Sequence, residues 1–273
     1  MPFTLAHPAA ALPLLRPMRR FGVLSALIIG SMSPDFPYFL TGDLTRRESH
    51  SFAGLFYFCL PYGVIAYVLY HLLLKHPVIA LLPDWVQRKV LGVCPELWRF
   101  PKASALAVVI SLLAGAATHV IWDSFTHPGE TIVQTLLPLQ TELFKVQGAR
   151  FYVFNVLQHT STLVGFCLLA WWGARWLRTA PVTPAALPFS LRTATRVLVI
   201  ALFATITAYE FLEVAAVALY QPVPLIRLRH WVGPAVTTAM ANVGIAVILY
   251  STVWSFAALR CLRKAAKPAP AVI

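Results

Sequence analysis

Five apolar stretches run through this chain, and each is long enough to cross a bilayer as an α-helix. They lie at roughly residues 52–74, 103–122, 152–177, 197–220 and 232–259. A helix rises 1.5 Å per residue, so about 20 apolar residues cover the hydrocarbon core. The pattern predicts an all-α fold, a polytopic transmembrane helix bundle.

A sixth apolar stretch, at about residues 21–33, is too short to be a span by itself. It reaches the necessary length only by continuing through Pro34 and Pro37, and proline interrupts a helix. The first segment is therefore either a broken span or a re-entrant dip, and the bundle has five or six spans.

The composition excludes a soluble globular protein. Hydrophobic residues make up 59% of the 273 positions and the mean hydropathy is +0.71. Only 12% of the residues are charged, about half the share usual in a soluble domain. A net charge of +12 could indicate nucleic-acid binding, but the Lys and Arg flank the apolar stretches instead of forming one patch. We therefore expect membrane lipid, and no nucleic acid, as a partner.

The positions of Lys and Arg also test the topology, because these residues concentrate in cytoplasmic loops. With six spans and a cytoplasmic N-terminus, sixteen of the 22 Lys and Arg residues fall on the cytoplasmic side. Both termini are thus expected in the cytoplasm, and no removable signal peptide is expected.

A Pro-rich segment divides the chain. Residues 180–196 are expected to be a cytoplasmic linker. It would join an N-terminal membrane unit, residues 1–179, to a C-terminal helix pair, residues 197–262. Residues 263–273 are expected to be a disordered tail.

Ionisable groups are costly at membrane depth, so each is a functional candidate. His119 and Asp123 are one helical turn apart on one face, and His127 follows four residues later. Imidazole and carboxylate groups at this spacing form part of a metal site. Taken alone, the pair is explained equally well by a hydrogen bond between His119 and Asp123.

The six-span topology places further polar residues at similar depth on the same, outer side. They are Asp35, His50, His159, Glu210 and Glu213, whereas His71 and His76 fall on the opposite side. Glu210 and Glu213 could orient ligand histidines or form a proton or cation relay. His7 is cytoplasmic in this topology, but a re-entrant hairpin over residues 8–33 would bring it to the outer cluster and leave five spans.

Oxygen and nitrogen ligands without thiolate suit a divalent metal, with zinc expected first and manganese or iron as alternatives. The proposed metal ligands are His7, Asp35, His50, His119, Asp123, His127 and His159. Such a centre points to metal-assisted hydrolysis, with Asp35 and Asp123 as the catalytic carboxylates. Four arginines on the same side could bind an anionic lipid headgroup or be ordinary loop charge: Arg46, Arg47, Arg227 and Arg229.

Four motifs resemble an uncharacterised bacterial membrane family, domain of unknown function 4184. They are MPFTLAHPAA, ALIIGSMSPDFPYF, HSFAGLFYFCLP and GAATHVIWDSFTHPG. The resemblance covers roughly the first 180 residues clearly. It implies a protein of the prokaryotic inner membrane and carries no established activity.

The order of the candidate ligands is also similar to that of zinc-dependent phospholipase C. The Ser49-His50-Ser51 segment resembles the motif of membrane-bound metal-dependent hydrolases. Two positions depart from the phospholipase pattern. Leu163 stands where a glutamate follows His159, and Met1 has no counterpart of that family's N-terminal tryptophan ligand. One or two metals are therefore expected instead of three, and Glu210 or Glu213 could replace the missing carboxylate.

Three classes of function remain open from the sequence. A metal-dependent hydrolase acting on a phosphoester or lipid-linked substrate accounts for the ordered His and Asp set. An ion-coupled transporter would account for Glu210 and Glu213, although no internal repeat is found. A structural or partner-binding membrane protein would use the His and Asp pairs only to join helices.

Overall fold

The structure, a computed structural model, describes residues 3–18, 20, 22–39, 46–94, 97–146, 148–220 and 225–266. For residues 46, 217–220 and 225–230 it describes the backbone only. Within these ranges five helices are long and apolar enough to cross a membrane: Leu55–Ala80, Ala105–Ser124, Val153–Thr179, Thr193–Ala216 and Trp231–Ala265. They are called the first to fifth spans below. The predicted all-α bundle is confirmed.

The helices follow one another along the chain with few strands. The α-helices are α1 Pro8–Ala11, α2 Leu24–Gly30, α3 Arg46–Ser49, α4 Leu60–Leu69, α5 Lys75–Ala80, α6 Asp84–Val90, α7 Ala105–Ser124, α8 Thr131–Thr135, α9 Val153–Thr179, α10 Thr193–Tyr220 and α11 Leu225–Ala265. Short 3-10 turns cover Thr4–Ala6, Leu12–Leu15, Ser33–Tyr38 and Leu137–Gln140. The first span begins with a π-helical turn at Leu55–Cys59, which leads into α4, and a second π-helical turn at Tyr70–Leu74 joins α4 to α5.

Large apolar side chains are exposed along the spans. Leu163, Leu198 and Val253 have 66%, 69% and 70% of their surface exposed. In water such a surface would drive aggregation, but lipid tails are as apolar as these side chains. The distribution therefore suits a multi-pass membrane protein.

The residues before the first span form a hairpin. Its first limb is the apolar segment Thr4–Leu15, and its second limb is α2 followed by the 3-10 turn Ser33–Tyr38. The second limb runs alongside α7: the Val23 amide donates to Ser111 Oγ at 2.8 Å, and Ser31 lies beside His119. Eight residues of helix separate Ser111 from His119, about 12 Å.

Both ends of the hairpin therefore lie near the C-terminal end of α7, and its tip lies toward the other end. Arg16 and Arg20 at the tip are exposed. This arrangement is the re-entrant alternative that the proline break predicted. The tip arginines thus lie toward the N-terminal end of α7, away from its C-terminal end.

Two glycines permit the close contact between α2 and α7. A Cβ atom at Gly115 would overlap the Leu27 carbonyl oxygen, and one at Gly30 would overlap that of Leu112. Small residues allow helix backbones to approach in membranes, where packing replaces the hydrophobic drive between helices. Ala26 and Leu112 are almost fully buried at this interface.

The last two spans attach at the far end of the first span. Tyr250 Oη donates to the Pro77 carbonyl oxygen at 2.8 Å, and the buried Trp254 packs between Ala80 and Ala258. Helix α10 begins at Thr193, α11 continues to Ala265, and residues 180–192 between α9 and α10 contain no helix. Of the expected disordered tail, residues 267–273 lie outside the described residues.

A small two-stranded sheet forms part of the loop between the second and third spans. Strands β1 Glu142–Val146 and β2 Ala149–Tyr152 pair antiparallel, with Phe144 opposite Phe151. Both lie at the end of the bundle where α7 ends and α9 begins.

The glycine contact can be tested by Gly115→Ala. We expect the added methyl group to destabilise the protein by about 1–3 kcal/mol, the usual cost of overpacking, and to lower its melting temperature in detergent. Gly173→Ala is the matched control, because nothing lies within 4 Å of its Cβ position among the described residues. Equal melting temperatures for the two variants would contradict the close hairpin contact.

Candidate metal centre

Four buried side chains meet at the C-terminal end of α7. Asp35 comes from the 3-10 turn after α2, and His50 directly follows α3. His119 and Asp123 lie one turn apart on α7, so the helix presents both to the same point. All four are at most 6% exposed. Residues from three separate parts of the chain thus form one cluster.

The distances from the two imidazole nitrogens to each other and to the aspartate oxygens are close to those of a tetrahedral metal site. His50 Nε2 lies 3.3 Å from His119 Nε2, 3.6 Å from Asp35 Oδ1 and 3.3 Å from Asp123 Oδ2. His119 Nε2 lies 3.5 Å and 3.6 Å from the same two oxygens. A tetrahedron with metal–ligand bonds of 2.0–2.1 Å has edges of about 3.3–3.4 Å. Five of the six edges therefore agree with a small divalent cation at the centre.

The hydrogen bonds behind the imidazoles direct both Nε2 atoms inward. His119 Nδ1 donates to the Ser31 carbonyl oxygen at 2.7 Å, so a neutral His119 carries its lone pair on Nε2. His50 Nδ1 is hydrogen-bonded to Ser49 Oγ at 3.0 Å. A ligand histidine commonly has its other nitrogen fixed in this way. An Nε2 lone pair that faces two carboxylate oxygens is repelled by them unless a cation or a proton lies between these atoms.

Thr4 orients one of the carboxylates. Its Oγ1 donates to Asp35 Oδ2 at 2.6 Å, which leaves Oδ1 facing the two imidazoles. This residue was not among those the sequence suggested, because a threonine in an apolar segment has many roles. Its position one turn before His7 is the only sequence signal that could have pointed to it.

His7 reaches the cluster through the hairpin. Its ring stacks on His119 with centroids 3.5 Å apart and an angle of 13°, and its Nε2 lies 3.5 Å from Asp123 Oδ1. Among the described residues neither of its ring nitrogens has a hydrogen-bond partner. The hairpin thus brings His7 to the cluster, the arrangement that the re-entrant alternative expected for this residue.

The other proposed histidine ligands are placed differently. His127 adjoins the cluster, with Nδ1 at 3.5 Å from Asp123 Oδ2, and is 5% exposed. His159 is exposed on α9 and is not one of the four clustered residues. Its role as a ligand stays a prediction.

The two glutamates of α10 are engaged within the last two spans. Glu210 Oε1 accepts a hydrogen bond from Asn242 Nδ2 of α11 at 2.9 Å. Glu213 Oε1 accepts one from Tyr209 Oη, also at 2.9 Å. Neither belongs to the four-residue cluster.

Of the four arginines that could bind a headgroup, Arg47 has a described side chain. Arg47 is exposed and precedes His50 by three residues in the sequence. The side chains of Arg46, Arg227 and Arg229 lie outside the described part of the structure. Headgroup binding by these residues stays a prediction.

The chain belongs to the family described as "Domain of unknown function (DUF4184)", whose model matches residues 1–252. The match confirms the resemblance carried by the four motifs, and it extends through most of the last two spans. No curated protein and no solved structure matches the chain. The cluster's chemistry must therefore be argued from its own residues.

We expect His119→Gln to remove bound metal. The protein purified in mild detergent without chelators should contain about one equivalent of zinc, manganese or iron by elemental analysis, and the variant should contain almost none. His71→Gln is the matched control, since His71 is also buried in a span but bonds to Ser25 Oγ at 2.9 Å, away from the cluster. Equal metal content in both variants would exclude the site.

Thr4→Val tests how Asp35 is oriented. Loss of the hydroxyl donor should weaken metal binding by about 10–100-fold, as loss of such outer partners usually does. Thr4→Ser keeps the donor and should retain most of the affinity. Competition with a chelator of known affinity measures both, and indistinguishable affinities for the valine variant and the unmodified protein would contradict this role.

Proposed function

We propose that this member of the domain of unknown function 4184 family is a membrane-embedded metal-dependent hydrolase. Its substrate would be a phosphoester or lipid-linked molecule at the outer boundary of a prokaryotic inner membrane, with the C-terminus in the cytoplasm. One observation carries the proposal: two imidazole nitrogens and two carboxylate oxygens converge, and the five pairs of these atoms that include an imidazole nitrogen are 3.3–3.6 Å apart. The excess of Lys and Arg at the opposite end supports the orientation.

The charges of the cluster fit a divalent cation. Asp35 and Asp123 together carry two negative charges, which one such ion neutralises while both histidines remain neutral. Each aspartate supplies one carboxylate oxygen and each histidine one ring nitrogen, so the four ligand atoms include no thiolate sulfur. Oxygen and nitrogen ligands of this kind suit zinc, and also manganese or iron.

A common meeting point favours metal binding over a purely structural role. Histidines that only joined helices would each pair with one aspartate at hydrogen-bond distance. Here His50 Nε2 and His119 Nε2 each face both aspartates, at 3.3–3.6 Å. A cation at the centre would offset the repulsion between the inward-facing lone pairs and the two carboxylates.

Hydrolysis is the reaction class that this set supports best. Four protein ligands fill a tetrahedron, so the ion would have to take a fifth ligand, as zinc does in some catalytic sites. With that position available, it would supply Lewis-acid chemistry, polarising a phosphoryl oxygen and promoting the ionisation of water at neutral pH. Water would add to phosphorus and give up one proton, the P–O ester bond would break with its electron pair on the leaving oxygen, and that oxygen would take up a proton in turn. Asp35 and Asp123 hold the set together, and His7 and His127 lie against Asp123 where the substrate would be bound.

The proposal predicts metal-dependent phosphoester hydrolysis by the purified protein. Bis(p-nitrophenyl) phosphate and dioleoyl phosphatidic acid in mixed micelles are suitable probes for a diester and a monoester. Chelation should lower the rate at least about a hundredfold, and zinc, manganese or iron should restore it.

Variants separate this activity from contamination. His119→Gln should stay at the background rate after metal is added, and His71→Gln should respond as the unmodified protein does. Stoichiometric metal without hydrolysis of either probe would leave a metal-binding protein and reject the hydrolase.

A further inference from the structure

An apolar groove runs between α7 and α9 beside the cluster. Its wider part has a volume of about 540 Å³ and is lined by residues between Thr118 and Thr126, in and just after α7, and by residues between Leu157 and Val164 of α9. A narrower part of about 190 Å³ continues along the hairpin to Pro13 and Leu168. The two parts share the walls Ala10, Trp122, Ser161 and Val164.

The groove reaches the candidate metal centre through His7. This histidine lines the narrower part and lies with Nε2 at 3.5 Å from Asp123 Oδ1. Trp122, which lines both parts, directly precedes Asp123 in α7. The level of the cluster along α7 is thus also the level at which the two parts of the groove meet.

The lining is suited to a hydrocarbon chain. Among the described residues neither part includes an Asp, Glu, Lys or Arg side chain. Three of its four hydroxyl groups donate to carbonyl oxygens of their own helices: Thr118 to Gly115 at 2.7 Å, Thr160 to Val156 at 2.7 Å, and Ser161 to Gln158 at 3.0 Å. With these donors engaged, the groove presents mainly carbon to an occupant.

The direction of the groove matches a lipid standing in one leaflet. The residues Leu157 to Leu168 advance along α9 by about 16 Å, away from the end of the bundle that carries the cluster. Leu157, Val164 and Leu168 are 38–51% exposed, so the groove opens between two spans toward the lipid phase. A chain lying there would have its tail toward the bilayer centre and its head beside Asp123.

We infer that this groove holds the apolar chain of a membrane lipid whose phosphate-bearing head lies at the metal centre. The inference rests on the proposed function and narrows its substrate to a lipid phosphate. Affinity at the metal centre should then depend on the length of the chain attached to the phosphate.

Cobalt substitution provides the measurement, because the absorption of bound Co²⁺ reports on ligands at the centre. Inorganic phosphate, butyl phosphate and decyl phosphate are titrated at one detergent concentration. We expect the apparent Kd to be at least about tenfold lower for decyl than for butyl phosphate, since each buried methylene adds affinity. Because decyl phosphate also partitions into micelles, groove variants provide the decisive comparison.

Val164→Trp places bulk in the wall shared by both parts of the groove. It should reduce the decyl-to-butyl preference at least about fivefold and leave the Kd of inorganic phosphate unchanged. Leu163→Trp is the matched control, since Leu163 is 66% exposed and lines neither part in the described structure. Ser161→Leu is a second filling variant if Val164→Trp does not fold.

The outcomes distinguish the two proposals. Bound cobalt and bound phosphate, with the same chain-length preference in every variant, would overturn the groove while leaving the hydrolase standing. Absence of a cobalt spectrum, or a spectrum insensitive to all three phosphates, would overturn both.

Discussion

Asp35 and Asp123 bring two carboxylates into a helix bundle whose interior is otherwise largely apolar, and a buried charge without a partner costs several kcal/mol. Both aspartates find partners at one point, where their carboxylates face the Nε2 atoms of His50 and His119. Outer hydrogen bonds from Thr4 to Asp35 and from His119 to Ser31 fix the directions of these groups. The hairpin supplies Thr4, Ser31 and Asp35, so its position against α7 decides whether the cluster exists.

The hairpin in turn depends on the backbone contact at Gly30 and Gly115. Lipid surrounds the bundle and is as apolar as its side chains, so burial alone does little to hold the hairpin in place. Close packing and the hydrogen bond from the Val23 amide to Ser111 provide the specific contacts. The same arrangement leaves the space between α7 and α9 open from His7 to Leu168, because the first limb of the hairpin fills only part of it.

Much of this architecture could be predicted from the sequence. Long apolar stretches fixed the five spans, and the i, i+4 spacing of His119 and Asp123 placed both on one face of a helix. The course of the first 40 residues could not be chosen, since charge counting favoured a crossing and Pro34 and Pro37 favoured a re-entrant turn. A hairpin whose tip approaches the far end of α7 satisfies both signals, and periodicity alone does not reveal it.

The predicted depth of a residue in the membrane was a weaker guide to its role than its contacts in the structure. Glu210 and Glu213 were grouped with the cluster because they lie in the outer half of a span, yet their hydrogen bonds are to Asn242 and Tyr209. Topology gives the level of a residue in the membrane, but the direction of its side chain depends on neighbouring helices. Thr4 shows the converse, since its role became visible only through its contact with Asp35.

The hairpin also has a consequence for biosynthesis. It leaves the ribosome before its binding surface on α7, which is translated only after the first span. The hairpin therefore cannot pack against α7 until the second span has been synthesised and inserted. Any cation that binds all four ligands can do so only after that step, so loading of the site would report that the first half of the protein has assembled.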